Sequence, residues 1–198
     1  MAGPVSVGVV AVPEGFDVAK EFPGVADSKK LSEKNREKLF ALLEARASLG
    51  DVRFRVEFED APAIDREGIA VVIRRAVSRG VNALAPAKTA EGGSPGAANA
   101  APRDDVFVQL DGALRAPPEY AQETIINGDE LIPLISLASI AAKVVRDRHM
   151  IGLSAEYPQY GFDVHKGYGT NMHYEMLREH GLCAIHRRSF IHLDFPKI

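Results

Sequence analysis

The chain has 198 residues, of which 46% are hydrophobic and 26% charged, and its formal net charge is -3 at pH 7. This length and apolar content suffice for one buried core, so we expect a single globular domain over residues 1–198. The sequence contains neither an 18-residue apolar run nor a charged start followed by an apolar stretch, which argues against a membrane span and a signal peptide. We therefore expect a cytoplasmic protein and a monomer. The negative charge offers no overall attraction for nucleic acid, and one cysteine excludes an internal disulfide.

The first half of the chain alternates strand and helix patterns. Residues 5–12 are rich in valine and indicate a strand, whereas residues 33–46 follow a candidate N-cap, Ser32, and place leucines on one helical face. Residues 52–59 alternate apolar and charged side chains, which predicts a strand with one solvent-exposed face. Between residues 69 and 84 apolar positions recur every three and four residues, which predicts a helix packed on the sheet.

Residues 85–105 differ in composition from the rest of the chain. They are dominated by Ala, Gly, Pro, Ser and Asn and show no periodicity. We expect a disordered surface insertion within the domain, and we assign it no function.

Two aspartates follow short strand-like runs in the second half of the chain. Asp111 closes the run 106–111, and Asp129 closes the run 124–129. Carboxylates at neighbouring strand ends are hard oxygen ligands that suit Mg²⁺ or Mn²⁺, as in a metal-dependent nuclease. An Asp-Gly pair after a strand is, taken singly, more often a turn, so the two aspartates alone leave both interpretations open.

The next segment, residues 131–153, is apolar on most sides and predicts a central helix. Its polar positions fall within a sector of roughly 100° and predict one outward-facing strip. The strip is either a solvated face or a phosphate-binding surface. Its members are Ser136, Ser139, Lys143, Arg146, Asp147 and Met150.

A last helix is predicted over residues 171–180, closed by Gly181. The histidines at positions 165, 173, 180 and 186 lack paired Cys/His spacing, so the sequence does not favour a zinc site.

Several motifs stand in the order found in ribonuclease HII, and the resemblance covers nearly the whole chain. They are Asp27-Ser28-Lys29-Lys30-Leu31-Ser32, Leu110-Asp111-Gly112, Gly128-Asp129, residues 138–147, Tyr160-Gly161-Phe162, His165-Lys166-Gly167-Tyr168-Gly169-Thr170 and His186-Arg187-Arg188-Ser189-Phe190. The resemblance implies an α/β, ribonuclease-H-like mixed sheet flanked by helices. It also implies that the C-terminal helical segment 157–198 contacts substrate.

The resemblance further implies a metal-dependent endonuclease, with Mg²⁺ or Mn²⁺ as cofactor. Such an enzyme cuts the RNA strand of RNA/DNA hybrids and acts on single ribonucleotides embedded in duplex DNA, on their 5′ side. Asp111 and Asp129 resemble two of four acidic metal ligands, and Tyr168 resembles a tyrosine that stacks on the ribose and senses its 2′-OH. The implied substrate contacts are Ser28, Lys29, Ser139, Lys143, Lys166 and Tyr168. Asp147 is expected to support the site or to face substrate rather than bind metal.

The sequence departs from this family at its start. In the family, a strand ending in Asp-Glu-Ala-Gly-Arg-Gly precedes a segment like Ala2-Gly3-Pro4-Val5, whereas here Met1 stands directly before it. The resemblance thus implies that one central strand and two acidic ligands are missing, which leaves neighbouring strand edges unpaired. We expect either an upstream start or a truncated, inactive relative that binds hybrids without cleaving them. A phosphotransfer domain of different specificity is a third interpretation.

Overall fold

The structure, a computed structural model, describes residues 1–25, 30–85 and 103–192. Two of the implied substrate contacts, Ser28 and Lys29, lie outside the described residues. The same is true of residues 86–102, most of the predicted insertion. The predicted end of that insertion at residue 105 is wrong, because a strand begins at Arg103.

The described residues form four strands and eight helices. The strands are β1 (Val5–Ala11), β2 (Arg53–Glu59), β3 (Arg103–Asp111) and β4 (Tyr120–Ile125). The helices are α1 (Val18–Glu21), α2 (Glu33–Leu49), α3 (Ala61–Glu67), α4 (Ile69–Leu84), α5 (Gly128–Leu131), α6 (Pro133–Leu153), α7 (Phe162–His165) and α8 (Asn171–His180). Short 3₁₀ turns occupy Pro158–Tyr160 and Arg188–Phe190. In this part of the chain no helix has the length and apolar character needed to cross a membrane.

The strands form two separate pairs. β1 runs antiparallel to β2, with Val5 opposite Glu59 and Ala11 opposite Arg53. β3 runs parallel to β4, with Asp111 opposite Ile125. The α/β class is therefore confirmed, but the expected mixed sheet is divided into two two-stranded sheets within the described residues.

Local sequence signals account for most helix boundaries. The Ser32 hydroxyl accepts a hydrogen bond from the Asn35 N–H at the start of α2, as an N-cap should. Pro133 opens α6, where its missing N–H leaves no helical bond unmade. Gly181 follows α8 with a φ of 71°, a conformation that glycine adopts without a side-chain penalty.

The charged face of β2 is exposed at Arg53 and Arg55, as its alternation predicts, but not at Glu57 and Glu59. Glu57 and Glu59 are buried, because two arginines of α4 cover them. Arg75 Nε donates to Glu59 at 3.0 Å, and Arg79 Nε donates to Glu57 at 2.9 Å. The hydrogen bonds from Arg75 hold the pKa of Glu59 below its ordinary value. The second half of this face therefore packs on α4 through ion pairs rather than facing water.

A cleft of about 1210 Å³ separates β1 from β3. Both α4 and α6 pack against β1, yet all seven residues of β1 remain partly exposed.

The packing of β1 against α6 depends on a glycine. A Cβ atom on Gly8 would lie 2.0 Å from the carbonyl oxygen of Ala138 and 3.2 Å from the backbone nitrogen of Ala142. The strand thus touches the helix backbone at a distance that no other residue allows. This close approach determines the distance between α6 and β1.

We predict that Gly8→Ala lowers the free energy of unfolding by at least about 1–3 kcal/mol, because the added methyl group forces strand and helix apart. Gly152→Ala in α6 is the matched control. Its Cβ meets no atom within 4 Å, so it should leave stability unchanged or raise it by up to about 1 kcal/mol. Urea unfolding followed by circular dichroism measures both values. Equal stability of Gly8→Ala and the native chain would contradict the packing described.

Candidate active site

The two candidate carboxylates are adjacent. Asp111 is the last residue of β3, and its Oδ1 accepts a hydrogen bond of 2.8 Å from the N–H of Gly128, the residue before Asp129. The prediction that Asp129 ends a strand is wrong: β4 ends at Ile125, and Asp129 lies in the short helix α5. Asn127 makes the intervening turn with a left-handed φ of 56°, which asparagine tolerates better than most residues.

Both carboxylates open into the cleft, where Ser139 of α6 joins them. Asp129 is only 5% exposed, and Asp111 is half-buried. Hard carboxylate oxygens of this kind fit Mg²⁺ or Mn²⁺. Across residues 1–25, 30–85 and 103–192, however, no group of three or more His, Cys, Asp or Glu residues is arranged to hold a metal ion. Asp111 and Asp129 thus offer two possible metal ligands rather than a complete set.

The polar strip of α6 leads away from the carboxylates. Lys143 lies one helical turn after Ser139, about 6 Å along the axis. Its ammonium group donates to Asp147 Oδ1 at 2.8 Å and to the Tyr168 hydroxyl at 2.9 Å. Asp147 is therefore paired with a lysine, as expected of a supporting residue.

The prediction that the whole strip faces outward is wrong. Four of its members, Ser136, Arg146, Asp147 and Met150, are buried. The N-terminal segment and the loop before α8 cover Arg146 and Met150, which sequence periodicity in α6 could not reveal. Ser139 and Lys143 remain half-buried and accessible.

Arg146 joins the strip to these covering segments. Its guanidinium donates to the carbonyl oxygens of Pro4, Ala2 and Lys166 at 3.0, 3.1 and 3.1 Å. The guanidinium carbon also lies 4.9 Å from the centre of the Tyr168 ring. Arg146 therefore fixes the loop on which the tyrosine stands.

Tyr168 presents the aromatic face of the site. Its side chain is 45% exposed, and the Lys143 ammonium lies 4.4 Å from the ring centre. Lys166, two residues earlier, has a left-handed φ of 51° and donates from its ammonium group to the Asp163 carbonyl. The structure thus brings Asp111, Asp129 and Ser139 together at the cleft, and Lys143 with Tyr168 one turn away.

Three buried histidines beneath the Tyr168 loop were missed as site residues by sequence reasoning. His165 and His173 stack with ring centres 4.3 Å apart, and His173 and His186 join through their Nε2 atoms at 3.1 Å. Burial lowers the pKa of both His173 and His186 to about 4. The only signal in the sequence was that these histidines fall inside or beside the family motifs.

This burial predicts a stability that depends on pH. The unfolded histidines take up protons below about pH 6.5, whereas His173 and His186 in the folded chain stay neutral until about pH 4. Protons therefore favour the unfolded state in this window, and the free energy of unfolding should fall by up to about 1.4 kcal/mol per pH unit per histidine. Above about pH 6.5 this contribution is constant.

Urea unfolding at several pH values between 7 and 4.5 measures the slope. His186→Asn should flatten it, since the Asn Oδ1 still accepts from the Cys183 N–H but no longer titrates. The exposed His149→Asn serves as the control and should keep the native slope. A native slope in both variants would contradict the assignment.

Solved structures place the fold among ribonuclease H-like proteins. The chain matches a ribonuclease HII from Archaeoglobus fulgidus, solved as a complex with PCNA, with a TM-score of 0.66 and 22% identity over 96% of this chain and 87% of that one. It matches a ribonuclease H2 from Pyrococcus horikoshii with a TM-score of 0.62 and 22% identity over 94% and 88%. A Bst ribonuclease HIII solved in complex with Mn²⁺ has a TM-score of 0.58 and 21% identity over 91% of this chain and 58% of that one. The predicted fold class is confirmed.

Sequence comparison identifies the family. The family model described as Ribonuclease HII matches residues 1–193. Proteins named ribonuclease HII from Burkholderia ambifaria and Burkholderia vietnamiensis are 38% and 39% identical over 188 residues, which is 95% of this chain and 77% of theirs. The chain belongs to the ribonuclease HII family, as its motifs predicted.

Proposed function

We propose that this protein is a metal-dependent endonuclease that cleaves the RNA strand of RNA/DNA hybrids and single ribonucleotides embedded in duplex DNA. The observation that carries the proposal is the continuous surface from Asp111 and Asp129, past Ser139, to Lys143 and Tyr168. Family membership supports the reaction class, and this surface supports the roles of the individual residues.

We propose that Asp111 and Asp129 hold Mg²⁺ or Mn²⁺. Their oxygen donors suit both ions, and a ribonuclease HIII of similar fold has been solved with Mn²⁺. When bound, such an ion polarises the phosphodiester and activates water for attack. The hydrogen bond from the Gly128 N–H holds the Asp111 carboxylate in place before any ion arrives.

Lys143 and Tyr168 act on the substrate in different ways. The Lys143 ammonium is held between Asp147 and the Tyr168 hydroxyl, so its charge is fixed where a phosphate can approach. Because the hydroxyl of Tyr168 accepts from Lys143, its own hydrogen is directed to another acceptor, such as a ribose 2′-oxygen. The exposed ring offers a stacking face for the same sugar. Ser139 and Lys166 are further proposed contacts.

We predict that Asp111→Asn lowers cleavage by more than about 100-fold, since losing a group that merely supports metal ligands already costs 10- to 100-fold. The amide keeps the shape of the side chain and an oxygen that accepts from Gly128, so the fold should persist. The assay is cleavage of a duplex with one ribonucleotide in Mg²⁺ or Mn²⁺. Glu156→Gln at an exposed position is the control, because it removes the same negative charge, and this variant should cleave normally. Native activity of Asp111→Asn would refute the role of the carboxylate.

The second candidate function is binding of RNA/DNA hybrids without cleavage. Two observations favour it: Asp147 is paired with Lys143, and Asp111 with Asp129 supplies only part of a metal shell among the described residues. Lys143 and Tyr168 would still bind the duplex. The two functions differ in turnover rather than in affinity.

A comparison of the 198-residue chain with a version extended by a strand ending in Asp-Glu-Ala-Gly-Arg-Gly separates them. We expect the extended form to bind and cleave the ribonucleotide-containing duplex, because its two further carboxylates would add oxygen ligands to those of Asp111 and Asp129. Cleavage by the 198-residue chain would show that Asp111 and Asp129 suffice. Binding without cleavage by either form would establish the second function.

A further inference from the structure

Two of the three buried histidines, His186 and His173, form a hydrogen-bonded chain that ends at the carbonyl of Tyr168, and His165 stacks on His173. His173 is fully buried, while His186 and His165 are 2% and 6% exposed. None of the three belongs to the surface proposed to contact substrate. They lie directly beneath the Tyr168 loop and contact its backbone.

The positions of the protons in this chain follow from its backbone donors. The Cys183 N–H donates to His186 Nδ1 at 2.9 Å, so the proton of neutral His186 is on Nε2. That Nε2–H donates to His173 Nε2 at 3.1 Å, which places the His173 proton on Nδ1. The Nδ1–H in turn donates to the Tyr168 carbonyl at 2.9 Å. For each of the two rings, one position of the proton satisfies all the hydrogen-bond partners.

His165 fixes the other side of the same residue. Its Nδ1 accepts from the Gly167 N–H at 3.1 Å, and its Nε2–H donates to the Tyr160 carbonyl at 2.7 Å. Gly167 itself has no room for a side chain, because a Cβ would lie 2.6 Å from the Ala2 carbonyl oxygen. The N–H of Gly167 and the carbonyl of Tyr168 are therefore both bound to histidine rings.

Two other roles for the cluster fit less well. A metal ion between His173 and His186 would need a distance of about 2.0–2.1 Å to each nitrogen, but the 3.1 Å between the two Nε2 atoms is already occupied by a direct hydrogen bond. A pH switch near neutrality does not fit either, since burial keeps the pKa of both rings at about 4. The role that fits best is that of neutral rings that act as fixed hydrogen-bond donors.

We propose that His173 is a positioning residue for Tyr168: its Nδ1–H holds the Tyr168 carbonyl so that the exposed ring stays against Lys143. This inference rests on the proposed function for its effect on cleavage, but not for its effect on the ring. The Thr170 N–H donates to the same carbonyl at 2.9 Å, so loss of the histidine bond should loosen the loop without unfolding it.

Two amide substitutions separate the two bonds that His173 makes. In His173→Asn the amide NH₂ lies near the position of Nδ1 and can still donate to Tyr168, whereas the bond to His186 is lost. In His173→Gln the amide reaches the position of Nε2 and can still pair with His186, whereas the bond to Tyr168 is lost. Both variants are neutral, polar and of similar size, so each controls for the other.

The first readout is the Tyr168 ring signal in NMR spectra, assigned with Tyr168→Phe. We expect the ring of His173→Gln to shift toward the position of a freely exposed tyrosine, and the ring of His173→Asn to stay near the native position. This measurement needs no activity, so it tests the positioning even if the proposed function fails. A native ring signal in His173→Gln, or an equal shift in both variants, would overturn the proposal.

The second readout is kcat/KM for a duplex with one ribonucleotide, measured in the form of the protein that cleaves. We expect His173→Gln to lose about 10-fold, since small displacements of an aligned group are costly, and His173→Asn to lose little. Stability should follow the opposite order, because Asn leaves the buried His186 Nε2–H unpaired. A purely structural role predicts instead that the less stable variant is the less active one.

Discussion

The buried guanidinium of Arg146 connects the parts of the molecule on which the candidate site depends. It lies on α6 but bonds to carbonyl oxygens of Ala2, Pro4 and Lys166, which belong to the N-terminal segment and the Tyr168 loop. A buried charge is costly unless its hydrogen bonds are made. All three carbonyl groups must therefore stay in place if the buried guanidinium is to keep its acceptors. The strand that begins at Val5, the central helix and the aromatic loop are thereby held in one arrangement.

Local charge, rather than net charge, determines what the site attracts. The chain carries -3 overall, yet Arg146, Arg187 and Lys143 converge near Tyr168. Burial, and to a smaller extent the neighbouring charge of Arg146, lowers the pKa of Arg187 to about 10. The carboxylates Asp111 and Asp129 lie beyond Ser139 at the cleft. On the proposed function, a polyanion would meet cationic and stacking groups on one side and the carboxylates proposed to hold metal on the other.

Sequence patterns predicted what depends on neighbours along the chain and failed where distant segments meet. The amphipathic α4, the Ser32 cap and the position of Asp111 at a strand end all follow from local rules. The burial of Glu57 could not be predicted from its own strand, since its partner Arg79 comes 22 residues later. The His173–His186 contact and the division of the sheet likewise depend on pairing between remote elements. The turn at Asn127, which moved Asp129 from a strand into a helix, depends on a single left-handed residue.

The cleft between β1 and β3 also bears on how the protein behaves among copies of itself. Each of these strands uses one edge for a partner, and in the described part of the chain the edges that face the cleft bear no strand. Unpaired backbone on an apolar strand is a template for another polypeptide, whether a soluble partner or a neighbouring molecule. Among the described residues, the edges of β1 and β3 at the cleft are therefore where another polypeptide could add a strand without opening an existing pair.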